Sequence, residues 1–271
     1  MIKPKHFSIP YIIWMGIFVV APIILVIVYA FTASDGNLSF DSFSAMGSFA
    51  SVFARSFWLA FLSTVICVII GYPVAYILSG ERQRTQRLMI MLIMLPMWMN
   101  FLLRTYAWMS ILENTGLLNR LLGFVGLPQL QIINTQAAVV IGMVYNFLPF
   151  MVLPIYSVIV KIDRSLYEAA QDLGADSMSV FLKLVVPMSL PGVLSGIMMV
   201  FVPAVSTFVI SQLLGGGKVM LLGDLIEMQF LGTAYNPHLG SAIALVMMVI
   251  VIAFMYVMNR FGEGEEKAVG L

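Results

Sequence analysis

Charged residues are scarce in this chain of 271 residues. Asp, Glu, Lys and Arg together make up 10% of it, whereas a soluble domain carries about 25%. With 61% hydrophobic residues, the chain has too few polar side chains to cover a surface in water, so its solvent is a lipid bilayer. The net charge of +1 argues against a nucleic-acid partner, which requires clustered Lys and Arg.

Cysteine, histidine and catalytic motifs are also nearly missing. Cys67 is the single cysteine, which excludes an intramolecular disulfide, and the distant pair His6 and His238 argues against a histidine metal site. The segment 215–218 (Gly-Gly-Gly-Lys) lacks the leading glycine and the hydroxyl residue of a nucleotide-binding phosphate loop. A nucleophile elbow and a convincing catalytic triad are absent too. We therefore expect a non-catalytic chain that binds no metal or cofactor of its own.

Six stretches are apolar and long enough to cross a bilayer as a helix, which takes about 20 residues. They cover roughly residues 7–31, 57–79, 88–109, 137–159, 190–214 and 239–259. Arg104, in the third, is the only charge within them. The first exceeds the apolar part of a signal peptide, about 7–15 residues, and no convincing cleavage site follows it. The prediction is an all-α membrane protein with six transmembrane helices, one domain over residues 1–271.

Lys and Arg are distributed unevenly between the two sides of the predicted membrane. With the N-terminus inside, ten of the 14 lie in inner segments: Lys3, Lys5, Arg82, Arg84, Arg87, Lys161, Arg164, Lys183, Arg260 and Lys267. The outer segments contain Arg55, Arg120 and Lys218. Because Lys and Arg favour cytoplasmic loops, both termini are predicted to be cytoplasmic.

The second inner loop, residues 160–189, has the pattern of a short capped helix. Ser165 and Glu168 have the spacing of a capping box, in which each side chain accepts a hydrogen bond from the other's free backbone amide. Apolar residues follow at helical spacing: Leu166, Ala169, Ala170 and Leu173. Gly174 fits the left-handed conformation that ends many helices. The small Ala169–Ala170 pair favours insertion into a groove of another protein.

A second short helix is predicted after Gly174, which makes the loop a helix–Gly–helix unit. Asp176 or Ser177 caps its start, and Pro187 ends it. Its apolar face consists of Val180, Phe181 and Leu184. The acids Glu168, Asp172 and Asp176 argue against a helix that merely lies on lipid, because anionic membrane surfaces attract basic residues.

The loop resembles the signature of permease subunits of binding-protein-dependent ABC importers: Glu-Ala-Ala, three residues, Gly, nine residues, Ile, one residue, Leu-Pro. Here the pattern is Glu168, Ala169, Ala170, Gly174, Leu184, Val186 and Pro187, with Leu in place of Ile and Val in place of Leu. The resemblance implies a type I ABC importer permease fold in a bacterial inner membrane. It also implies that Glu168, Ala169, Ala170, Leu173 and Gly174 form the ATPase-coupling site.

The same resemblance implies the partners of the chain. They are a second homologous permease, two ATPase subunits that carry ATP and Mg²⁺, and an extracytoplasmic binding protein. Most of the chain is also similar to the first permease subunit of spermidine/putrescine importers, on residues 71–73, 95–100, 104–106, 145–151, 215–218 and 229–231. That similarity implies a polyamine-binding protein as the partner. Permeases for sulfate, molybdate and ferric iron share the signature loop and are the alternatives.

Aromatic and acidic residues suit a polyamine, which is a flexible polycation. We place the substrate pathway at Trp98, Asn100, Tyr145, Asn146, Asp224 and Glu227. The outer segments contain five acids against three bases, although a positive-inside protein has few outer bases in any case. Asn100 and Asn146 have a second interpretation as helix–helix contacts. A structural pairing or a contact with the binding protein suits Arg104 as well as a substrate role does.

Two other classes of membrane protein fit the composition. A stand-alone secondary transporter usually places acids or histidines at mid-membrane for ion coupling, and the six stretches contain none. A structural membrane anchor has no need of the signature loop.

Overall fold

The computed structural model describes residues 9–33, 35–232 and 234–269, with side chains described for 10–33, 35–232 and 234–261. Helix α1 (Ile9–Met15) continues through a π-helical turn (Gly16–Val20) into α2 (Ala21–Ala30), and together they form the first apolar span. The start of that span as predicted, the basic residues Lys3 and Lys5, and the side chain of Lys267 lie outside the described residues.

The rest of the described chain is also mostly helical. The further α-helices are α3 (Asp41–Ala45), α4 (Ala50–Gly80), α5 (Gln83–Trp98), α6 (Phe101–Leu112), α7 (Leu117–Val125), α8 (Gln136–Ile159), α9 (Arg164–Asp172), α10 (Ser177–Val180), α11 (Val186–Ser206), α12 (Val209–Gly215), α13 (Leu222–Leu231) and α14 (Pro237–Val269). A 3-10 turn (Met46–Phe49) precedes α4, and a π-helical turn (Phe181–Val185) joins α10 to α11.

Helices α4, α8 and α11 pack against one another and form the centre of the fold. Glycines allow their backbones to approach closely. A Cβ atom at Gly192 of α11 would lie 2.9 Å from the carbonyl oxygen of Pro154 in α8, and one at Gly71 of α4 would lie 2.9 Å from Cγ of Met151. Small residues at helix contacts are typical of proteins whose helices pack within lipid.

The first span packs at the edge of this centre. Helix α2 contacts α14, and large apolar side chains such as Ile17, Phe18 and Ile24 remain exposed. In water such a surface would be unfavourable, whereas in a bilayer it faces hydrocarbon. Five of the described helices or continuous helical runs are long and apolar enough to cross a membrane, or six if one bent pair counts as a span.

The predicted third span, 88–109, is not one continuous helix. Helix α5 ends at Trp98 and α6 begins at Phe101, and the segments Gln83–Trp98 and Phe101–Val125 are bent by 92°. Pro96 removes a backbone donor in the last turn of α5. The side chain of Asn100 then accepts hydrogen bonds from the backbone amides of Leu102 at 2.9 Å and Leu103 at 3.4 Å, which begins a new helix.

The predicted fifth span, 190–214, is also broken. Helix α11 ends at Ser206, the backbone of Thr207 is extended, and α12 begins at Val209. The start of α13 packs against this break, since a Cβ atom at Gly223 would lie 2.5 Å from the carbonyl oxygen of Thr207. Only glycine allows so close an approach. Helix α13 therefore packs directly on the backbone at the point where α11 ends.

Candidate coupling site and substrate pathway

The predicted capping box of the second inner loop is wrong. Helix α9 has Asp163 as its N-cap, and one Asp163 carboxylate oxygen accepts a hydrogen bond from the backbone amide of Ser165 at 3.0 Å. This hydrogen bonding holds the pKa of Asp163 below its usual value. Ser165 therefore lies inside the helix, and Glu168 is free of any capping role. Asp163 is the better cap because its extended backbone points the carboxylate at the first turn.

The left-handed end at Gly174 is confirmed. Its φ is +81°, its amide donates to the carbonyl of Gln171, and the amide of Ala175 donates to that of Ala170. A Cβ atom at Gly174 would meet nothing within 4 Å, so the need for glycine is conformational rather than steric. Asp176 is the N-cap of α10 as predicted, and a hydrogen bond from the Ser179 side chain lowers its pKa.

Pro187 does not end the second short helix. Helix α10 passes through the turn at Phe181–Val185 directly into α11, where Pro187 occupies the first turn. In the π-helical turn just before this proline, the amide of Val186 donates to the carbonyl of Phe181, five residues back, and the helix continues past the residue that has no amide to donate. The second half of the loop is therefore continuous, as a helix, with a span.

Helix α9, which carries most of the predicted coupling residues, presents an uncovered surface. Glu168, Ala169 and Leu173 are exposed, and Leu173 has 89% of its surface accessible, whereas Tyr167 and Ala170 are half-buried. Leu166 is exposed as well, so this short helix outside the spans leaves apolar side chains uncovered. All five predicted coupling residues lie within the segment from Glu168 to Gly174.

Aromatic contacts connect this loop to the spans. The ring of Phe181 lies 4.9 Å from that of Tyr76 and 5.8 Å from that of Tyr72, both in edge-on geometry. Burial raises the pKa of Tyr167, and the nearby Tyr76 and Tyr72 hydroxyls raise it further. This cluster was not predicted from the sequence, although Tyr72 and Tyr76 have the one-turn spacing that places them on one face of α4.

The residues proposed for the substrate pathway fall into different environments. Trp98 ends α5 at the break, with 73% of its surface exposed. Asn100 is the N-cap of α6 described above, and its described side-chain hydrogen bonds lie within that helix rather than between helices. Asn146 is buried, and its amide donates to the carbonyl of Gly142 in its own helix at 2.7 Å. That hydrogen bond lies within α8 and links no other helix.

Tyr145 already contacts a cation of this chain. The guanidinium carbon of Arg104 lies 5.9 Å from the centre of the Tyr145 ring and 5.7 Å from that of Phe101. Nη1 of Arg104 donates to the carbonyl oxygen of Pro96 across the break at 2.5 Å. The Trp108 ring packs edge-on against Tyr145 at 5.0 Å. Arg104, only 8% exposed, thus connects α6 to the last turn of α5.

The two acids of α13 differ in accessibility. Asp224 is 5% exposed and accepts a hydrogen bond from the backbone amide of Leu221 at 2.8 Å, which caps its own helix. Burial raises the pKa of Asp224 to about 6. Glu227 is half-buried and accepts a hydrogen bond from the Gln212 side chain at 2.9 Å. Of the two, Glu227 is the more accessible carboxylate.

The chain matches a known family over most of its length. Residues 46–263 match the family described as the inner membrane component of binding-protein-dependent transport systems. A spermidine/putrescine transport system permease protein of Haemophilus influenzae, PotB, is 36% identical over 91% of this chain and 90% of its own length. The protein of the same name from Escherichia coli K12 is 32% identical over 95% of this chain and 97% of its own length.

Solved structures share the fold at lower identity. A bacterial ABC transporter involved in the import of the acidic polysaccharide alginate aligns with a TM-score of 0.82 and 17% identity, covering 96% of this chain and 94% of that one. The MetNI methionine ABC transporter aligns with a TM-score of 0.60 and 20% identity, covering 82% and 98%. The chain belongs to the family of binding-protein-dependent transport system inner membrane components, and it is a permease subunit of an ABC importer.

Proposed function

We propose that this permease subunit forms half of the translocation pathway for polyamines such as spermidine and putrescine. The observation that carries the proposal is the identity of 36% and 32%, over nine-tenths of the chain or more, to permeases named for that transport. The fold does not select a substrate, because a structural neighbour belongs to an importer of an acidic polysaccharide, opposite in charge to a polyamine.

The importer contains a second homologous permease, two ATPase subunits that bind ATP and Mg²⁺, and an extracytoplasmic polyamine-binding protein. The exposed surface at Glu168, Ala169, Ala170, Leu173 and Gly174 docks on an ATPase subunit. Support comes from the accessibility of Leu173 and from the short helix that carries it. A related fold has been solved in complex with a ligand-bound periplasmic protein, which is consistent with delivery from the opposite side.

In the proposed importer both termini face the cytoplasm, as the uneven distribution of Lys and Arg predicts. Reporter fusions placed after Lys161 and after Arg260 should both give a cytoplasmic signal. A signal from the outside at either position contradicts the orientation.

Glu227→Gln and Trp98→Ala should each lower uptake of radiolabelled spermidine or putrescine about tenfold in cells that depend on this chain. A tenfold change corresponds to about 1.4 kcal/mol, which lies between a surface ion pair of about 0–1 kcal/mol and the few kcal/mol of a buried one. Glu227 is half-buried and Trp98 presents a free aromatic face. Uptake and the amount of assembled complex are measured together.

Glu113→Gln and Trp14→Ala are matched controls, since both residues are exposed and lie outside the proposed pathway. They should transport normally. Normal transport by both Glu227→Gln and Trp98→Ala would remove these residues from the pathway. Uptake of sulfate, but not of either polyamine, by cells with the unaltered chain would overturn the proposed substrate.

A further inference from the structure

A cleft of about 580 Å³ separates the coupling helix α9 from the spans. Its lining includes Tyr76 and Glu81 from the end of α4 and its cap, Gln86 from α5, and Tyr167 and Glu168 from α9. Besides the backbone on either side of α9, the side chains at the margins of this cleft connect the ends of the spans. The hydrogen-bonded groups at those margins are therefore placed between α9 and the ends of the spans.

Gln86 makes the most extensive of these connections. Its side-chain nitrogen donates to the carbonyl oxygens of Ser79 at 3.1 Å and Glu81 at 2.9 Å. Its side-chain oxygen accepts from the hydroxyl of Tyr156, in the last turn of α8, at 3.0 Å. The residue is 9% exposed. One amide thus joins the end of α4, the start of α5 and the end of α8.

The position of Tyr156 connects this junction to the coupling loop. The Tyr156 carbonyl accepts from the amide of Val160, and only residues 160–163 separate the end of α8 from the start of α9. On the far side of the loop, the Tyr72 hydroxyl lies 2.7 Å from that of Ser189, which joins α4 to α11. Each end of the loop is therefore connected to α4 by side-chain hydrogen bonds, through Tyr156 and Gln86 at one end and through Ser189 and Tyr72 at the other.

We propose that Gln86 is a positioning residue of the transport cycle: it transmits the movement of α9, through Tyr156, to the cytoplasmic ends of α4 and α5. A buried side chain whose polar atoms all form hydrogen bonds is suited to this role. Breaking one of these hydrogen bonds leaves an unpaired polar group inside the protein, which is unfavourable. The inference rests on the proposed docking of α9 on an ATPase subunit.

The test uses the assembled complex in detergent and compares amide hydrogen exchange with and without ATP and vanadate. In the unaltered complex, nucleotide should change exchange in the coupling loop, 164–176, and at the α4–α5 junction, 79–86. Gln86→Leu keeps the volume and removes all three hydrogen bonds. In this variant we expect nucleotide to change hydrogen exchange in the coupling loop as it does in the unaltered complex. The change in exchange at the α4–α5 junction should be at least fivefold smaller. Gln83→Leu, the same change at an exposed position of α5, should respond normally at both.

Tyr156→Phe removes one hydroxyl and serves as the milder variant if Gln86→Leu does not assemble. It should weaken the response at the junction while leaving that of the loop. An unchanged response at the junction in either variant would overturn the inference. A loss of ATPase binding by the variants would place Gln86 in docking, which also contradicts it. Failure of the unaltered chain to bind ATPase subunits would instead contradict the proposed function.

Discussion

Gly174→Val should reduce uptake and ATP hydrolysis stimulated by the binding protein at least tenfold, while the chain inserts into the membrane in normal amounts. The φ of +81° at this position costs an L-residue about 1–2 kcal/mol, and more for a β-branched one. Nothing lies within 4 Å of the added Cβ. The strain is therefore relieved by a change of backbone, which turns α9 relative to α10 and displaces the docking surface.

Two further variants separate backbone strain from loss of surface. Gly174→Asn should keep most of the activity, because asparagine tolerates the left-handed conformation. Gly123→Val is the matched control, since Gly123 of α7 is exposed, has open space around it and has no positive φ. If Gly174→Val and the surface change Glu168→Lys both leave transport and ATPase association unaltered, the proposed docking site is wrong.

Arg104→Leu should lower uptake by tenfold or more with the complex still assembled. Its guanidinium joins α6 to the carbonyl of Pro96 across the 92° bend and lies over the rings of Phe101 and Tyr145. Hydrogen bonds from charged groups contribute about 1.5–3 kcal/mol, and a cation over an aromatic ring adds about 0.5–2 kcal/mol. Losing both contacts, about 2–5 kcal/mol together, lowers the population of the bent form by a factor of about thirty to several thousand.

Uptake by Arg104→Lys should lie between that of Arg104→Leu and that of the unaltered chain. An ammonium group retains the charge over the rings but lacks the planar fork of guanidinium. Arg120→Leu is the control. That arginine is exposed on α7 and its Nε also donates to a backbone carbonyl, that of Thr115. Uptake by Arg104→Leu equal to that of Arg120→Leu would show that the contact across the bend does not matter for transport.

The sequence predicted those parts of the fold that depend on local composition. Helix α8 spans Gln136–Ile159 against a predicted 137–159, because a helix satisfies the backbone hydrogen bonds of an apolar run within the bilayer. The left-handed end at Gly174 was predictable because few residues adopt that conformation. The family followed from the spacing within the second inner loop, and the matched family confirms it.

The breaks in the spans were not predictable in the same way. Pro96 and Asn100 lie in an apolar stretch where proline is often tolerated, and only the bend makes Asn100 a cap. Asp163 and Ser165 compete for one N-cap, and spacing alone favoured the wrong one. The pairs Gln86 with Tyr156 and Tyr72 with Ser189 join residues far apart in the chain, so no local pattern marks them.

The most direct test of the account is ATP hydrolysis by the purified complex, containing this chain, in liposomes. Binding protein loaded with spermidine or putrescine should stimulate hydrolysis several-fold and drive uptake of the labelled polyamine, whereas binding protein exposed to sulfate should have no effect. Stimulation by the sulfate-exposed protein, with none by the polyamine-loaded protein, would contradict the proposed substrate.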